Sequence, residues 1–134
     1  MPYKFLEHTA DVLVEASGAN YERALEEAAH ALFSIMAERV KEERELPVEA
    51  RAASLDDLVV FTLSEILGNT EIEEMLPARF KILELKKEGA EFIIRGIVFG
   101  GSGKQSTVVK AITFHELRVE QTENETKIRV LFDV

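Results

Sequence analysis

Two aspartates carry the most suggestive chemistry in this sequence. Asp11 lies in the alternating stretch Ala10–Ala16, on the parity opposite Ala10, Val12, Val14 and Ala16. Asp133 lies likewise opposite Ile128, Val130 and Phe132, one residue before Val134. If these two stretches are neighbours, both carboxylates and the terminal carboxylate of Val134 converge. Like charges at about 4 Å repel by roughly 4 kcal/mol at an effective dielectric of 20. Such a group must spread apart, take up a proton or bind a cation, and oxygen-only ligands suit Ca²⁺, Mg²⁺ or Mn²⁺. The plainer alternative is two solvated aspartates at strand ends. Lys110 is the other anomaly, a charge inside Val108-Val109-Lys110-Ala111-Ile112. There it either snorkels from an edge strand or meets a carboxylate.

Other chemistries find less support. His8 stands at the mouth of the first regular strand, His30 at the rim of a helix's buried face, and His115 at the end of an apolar strand. None belongs to an H-E-x-x-H motif, and no serine sits in a G-x-S-x-G elbow. Gly100-Gly101-Ser102-Gly103-Lys104 lacks the spacing and the following helix of a phosphate-binding loop, and reads as a flexible hairpin loop. There is no cysteine, so thiol catalysis, disulfides and Cys-ligated metals are excluded.

The elements that must position these residues follow from periodicity. Tyr3–Glu7 reads as a short strand and Ala10–Ala16 as a half-buried one. A helix is predicted over Asn20–Arg39, with Asn20 as N-cap and Tyr21, Ala24, Leu25, Ala28, Leu32, Ile35 and Met36 on one face. Its Glu22, Glu26 and Glu27 suit the positive end of the helix dipole. Leu46–Ala52, containing Pro47, reads as an edge strand. Ser54 opens a second helix, for which Gly68-Asn69 offers a stop. Beyond Pro77 the period becomes two. Strands are predicted around Phe80–Leu85, Phe92–Phe99, Thr107–Phe114, Leu117–Gln121 and Lys127–Asp133. The order β, α, β, α and then antiparallel strands predicts an α+β fold. Two amphipathic helices would pack on one mostly antiparallel sheet as a two-layer sandwich.

Length and charge narrow the function. The 134 residues suit one domain, 1–134. Sixteen basic and 25 acidic residues give a net charge of −9. Lys86-Lys87 is the only adjacent basic pair, so direct nucleic-acid binding is not expected. An acidic surface better suits a basic protein or a cation. The start Met1-Pro2-Tyr3-Lys4 shows no basic-then-apolar leader, and no apolar run approaches roughly 18 residues. No membrane association and a cytoplasmic location are therefore expected.

Three segments together resemble the archease family: Phe5-Leu6-Glu7-His8-Thr9-Ala10-Asp11-Val12, Val109-Lys110-Ala111-Ile112-Thr113-Phe114-His115 and Val130-Leu131-Phe132-Asp133-Val134. The Tyr21–Ala31 and Leu55-Asp56-Asp57-Leu58-Val59 stretches are similar to the family's two helices. Leu13 and Glu116 stand where the family often has glycine, and the loop Gly100–Ser106 is shorter than usual. The resemblance implies a non-catalytic protein that activates an RtcB-type RNA ligase in tRNA splicing, promoting ligase guanylylation and multiple turnover. It implies a divalent-cation site, Ca or Mg/Mn, at Asp11 and Asp133 with help from the Val134 carboxylate. It implies a functional role for Lys110, expected as a partner or nucleotide contact, and His8 and His115 are expected beside the site as supporting groups rather than as ligands. Two other functions remain open at this point: a chaperone-like modulator of a tRNA methyltransferase, and a small metal-dependent hydrolase.

Overall fold

The computed structural model describes residues 2–7 and 10–134. Strand β1 (Tyr3–Leu6) turns back against β2 (Val12–Gly18), and Asn20 then caps helix α1 (Tyr21–Met36). The Asn20 side chain accepts the Arg23 N–H at 2.9 Å, satisfying one of the unpaired donors of the first turn. A two-residue strand, β3 (Ala37–Glu38), and the long β4 (Arg44–Ala52) lead to α2 (Leu55–Ile72). Ser54 caps α2 by accepting the Asp57 N–H at 3.1 Å. Then follow β5 (Leu76–Glu88), β6 (Glu91–Gly101), β7 (Lys104–Gln105), β8 (Ala111–Gln121) and β9 (Thr126–Asp133).

The fold is α+β and its strand pairs are antiparallel, but the strands do not form one sheet. A four-stranded sheet has the order β1-β2-β9-β8, a three-stranded sheet the order β4-β6-β5, and β3 pairs with β7. The split has a steric reason. The edge strands β4 and β8 both pack against α2 instead of against each other. Helix α1 covers β2 and β9 on one side and reaches β5 on the other. One core results, in which Leu25, Leu32, Leu58, Leu63, Ile66, Phe80, Ile94 and Phe132 are almost fully buried. Burying each such side chain contributes about 1.5–3 kcal/mol. The buried Tyr21 hydroxyl donates to the Leu55 carbonyl at 2.7 Å, tying the start of α1 to the start of α2. Burial pushes the Tyr21 pKa well above its ordinary value.

Several boundaries depart from the periodicity reading. Helix α2 runs through Gly68-Asn69 because the turn beyond them is anchored: Thr70 is 1% exposed and its hydroxyl donates to the Ile66 carbonyl at 2.8 Å. The helix ends instead at Ile72, with Glu73 as its C-cap and Glu74 in the left-handed region at φ 53°. Gly100 and Gly101 are not a flexible loop but the last residues of β6. A Cβ on Gly100 would run into the Leu76 carbonyl oxygen of the paired strand. Helix α1 stops at Met36 rather than Arg39. Its last carbonyls are satisfied from a distant segment, since Thr107 N–H donates to Ile35 O and Ser106 N–H to Met36 O. That engagement draws Ser106 and Thr107 away from the sheet, and the strand expected from Thr107 begins at Ala111. It then continues without a break to Gln121, joining two predicted strands. A bulge between Thr113 and Arg118 absorbs the extra residues, with Glu116 at φ 59°. Position 116 thus takes a conformation that glycine adopts without cost.

Candidate functional site

The register of the four-stranded sheet decides whether the two aspartates can meet. Strands β2 and β9 pair with Val12 opposite Phe132, Leu13 opposite Leu131 and Glu15 opposite Arg129. Asp11 and Asp133 each lie one step beyond the Val12–Phe132 pair, so their chain positions are neighbours at the same end of the sheet. Both are half-buried. On the other side of β9, Ala111 of β8 is the partner of Asp133, and the Lys110 N–H donates to the Asp133 carbonyl at 2.7 Å. Lys110 is exposed. Three segments that are distant in sequence therefore end side by side.

Alternation places Asp11, Leu13 and Glu15 on one face of β2, with Asp133, Leu131 and Arg129 on the matching face of β9. That face points away from the helices, yet Leu13 and Leu131 are 5% and 3% exposed. A small apolar step therefore separates the aspartate end from an ionic row. In that row Glu15 accepts from Arg129 at 3.2 Å and meets Lys4 at 3.3 Å. Burial raises the Glu15 pKa, but the Arg129 and Lys4 charges outweigh it and hold the carboxyl below the ordinary value.

The remaining sequence candidates are more scattered. His115 is exposed within the β8 bulge, where its N–H approaches Thr113 Oγ1 at 3.3 Å. His8 lies outside the described residues. Among the described residues no group of three or more His, Cys, Asp or Glu side chains is arranged to hold a metal ion. Asp11 and Asp133 supply hard oxygen donors, which fit Ca²⁺ or Mg²⁺ chemistry, but two side chains need further oxygen ligands from main chain, water or a partner.

Glu26 and His30 have a task that the sequence reading assigned otherwise. Glu26 is 8% exposed, and its Oε2 accepts the Ile82 N–H at 2.8 Å. One turn on, His30 Nε2 accepts the Phe80 N–H at 3.2 Å while Nδ1 faces Glu27. These α1 side chains satisfy outward donors of the edge strand β5. The available signal was a carboxylate next to Leu25 on a helix whose next turn carries a histidine.

Architecture and site together define a small α+β domain with a carboxylate–lysine end on an antiparallel sheet. The sequence model of the Archease protein family (MTH1598/TM1083) matches residues 3–134. The chain is 33% identical to the protein archease of Methanosarcina mazei, over 98% of this chain and 95% of that one. It is 35% identical to that of Methanopyrus kandleri, over 92% of each. The solution structure of Methanobacterium thermoautotrophicum protein 1598 superposes with a TM-score of 0.86 at 27% identity, covering 99% of both chains. The crystal structure of a Thermotoga maritima protein, described as an archease and possible chaperone, has a TM-score of 0.64 at 28% identity, covering 98% and 96%. This chain belongs to the archease family. No helix among its described residues is long and apolar enough to cross a membrane.

Proposed function

We propose that this archease is a non-catalytic activator of an RtcB-type RNA ligase in tRNA splicing, promoting guanylylation of the ligase and its multiple turnover. The observation that carries this reading is the register that makes Asp11, Lys110 and Asp133 neighbours at one end of the sheet. Such an end can be inserted into a partner's site. Asp11 and Asp133, with help from Val134, would hold one divalent cation. When bound, it supplies positive charge beside phosphoryl oxygens. The chain's own part is to keep the two carboxylates apart from the bulk of the ionic row, behind Leu13 and Leu131. The exposed Lys110 offers its ammonium to the partner, to a bound nucleotide phosphate or to the aspartates. Cytoplasmic location and a protein rather than nucleic-acid partner complete the reading, and the net charge of −9 supports the latter.

The test is GMP incorporation into a cognate ligase with GTP and divalent metal, followed by multiple-turnover ligation, with and without this protein. Stimulation of both steps is expected. Lys110→Ala and Asp11→Ala should keep the melting temperature and lose stimulation. No stimulation at saturating protein overturns the reading. A chaperone-like action on a tRNA methyltransferase is the second reading, favoured by the description of the Thermotoga relative as a possible chaperone. It predicts altered methyltransferase solubility or specificity with no effect on the ligase.

A further inference from the structure

A second surface lies at the far end of α2 and has a different chemistry. Between Arg51 and Arg79 the chain carries six acidic side chains and no basic one. Three of the six, Glu71, Glu73 and Glu74, gather at the C-terminus of α2, where the helix dipole already presents negative charge. Arg44 takes Glu73 at 3.0 Å, but among the described residues no ion pair reaches Glu71 or Glu74. Glu74 also holds a left-handed backbone, and neighbouring Ile72 is 77% exposed. Each of these features costs local stability, and they coincide.

They coincide at a groove. A cleft of about 510 Å³ runs between the end of α2 and the segment 103–109. Its floor is apolar, formed by Met36, Leu67, Met75, Leu76 and Val109, and Val108 stands 63% exposed on its wall. Glu71 and Glu74 rim it, and no Lys or Arg lines it. An apolar floor under an unneutralised acidic rim complements a group with an apolar body and a cationic head. Helix C-terminal acids that no local cation pairs would gain a partner there, and Val108 would leave water.

We infer that this groove docks an exposed segment of a partner protein in which leucine-like and lysine- or arginine-like side chains lie next to each other. The groove is continuous with the candidate site through the chain itself, since Val108 and Val109 lead directly into Lys110. A partner gripped here presents its neighbouring surface to Lys110. The inference goes beyond ligase activation and does not require it, because the groove is read out by peptides alone.

Three short peptides of equal length serve as probes: one of leucine and lysine, one of leucine and glutamate, one of serine and lysine. They are titrated into the ¹⁵N-labelled full chain, and amide shifts are followed. The leucine–lysine peptide should shift Leu67, Glu71, Glu74, Val108 and Val109, and the other two should not. The double variant Glu71→Lys, Glu74→Lys should weaken that binding about tenfold or more, as two attractions become repulsions. Val108→Ser should weaken it through lost apolar contact. All three positions are exposed, so the fold is retained, which an unchanged amide spectrum outside the groove verifies. No shifts, shifts centred elsewhere, equal binding by either control peptide, or unchanged affinity in the double variant would each overturn the inference.

Discussion

Replacing Glu26 tests the idea that helix α1 guards the edge of the three-stranded sheet. The carboxylate is 8% exposed and accepts the Ile82 N–H at 2.8 Å, with Arg23 at 3.4 Å from its other oxygen. Glu26→Ala removes a charge-assisted hydrogen bond and leaves the Ile82 donor without its partner, a loss of about 1.5–3 kcal/mol. Glu26→Gln keeps an acceptor oxygen and forfeits only charge. The Arg23 side chain is 71% exposed, so the ion-pair part is worth at most about 1 kcal/mol. For a chain of this size the alanine variant should melt about 5–10 °C lower, and the glutamine variant a few degrees lower. Thermal and urea unfolding give the stabilities, and hydrogen exchange of the Ile82 amide localises the effect. Equal destabilisation by Ala and Gln, or an Ile82 amide that exchanges no faster in Glu26→Ala, would refute the reasoning. In that case the side chain acts by packing and not by capping.

Other expectations follow from the same geometry. Gly100→Ala should destabilise by about 3 kcal/mol, because the added methyl meets the Leu76 backbone, which cannot rotate away; an unchanged urea midpoint would show that the strands can spread. Glu15 has a folded pKa below its ordinary value of 4.5, so its contribution is present above that pH and lost as pH falls through the lowered folded value. The stability gap between the natural chain and Glu15→Gln should therefore narrow in acid, and a gap equal at neutral and strongly acid pH would contradict the ion-pair account. Glu116→Gly should be neutral to stabilising by up to about 1 kcal/mol, since relief at φ 59° competes with backbone entropy; loss of stability would show that the Glu116 side chain outweighs its strain.

What the sequence discloses here is mostly local. Asn20 and Ser54 announce their helices because cap chemistry needs only three following residues. Pro47 marks β4 as an edge strand, which it is. The shared parity of Asp11 and Asp133 is also readable, but that β2 and β9 are neighbours is a long-range fact that periodicity does not carry. The failures have the same origin. Gly68 does not stop α2 because buried Thr70 holds the next turn, and Gly100-Gly101 is not a loop because a partner strand crowds it. Thr107 to Lys110 looks like strand by composition, but its start is recruited to the end of α1, where the Thr107 N–H donates to Ile35 O. Leu13 and Leu131 share the outward parity and are nonetheless buried, so alternation reports the face of a strand and not what covers it.

The central pairing of β2 with β9 joins residues 12–18 to residues 126–132. The three-stranded sheet is built wholly from residues 44–101 and can close while synthesis is still under way. The four-stranded sheet cannot: β1 can pair with β2 and α1 can cover it, but the other edge of β2 has no partner until β9 emerges. A contact spanning over a hundred residues is entropically costly to close and slows folding. During translation the β2–β9 pairing is thus completed late, and the aspartate end of the sheet forms in the same step.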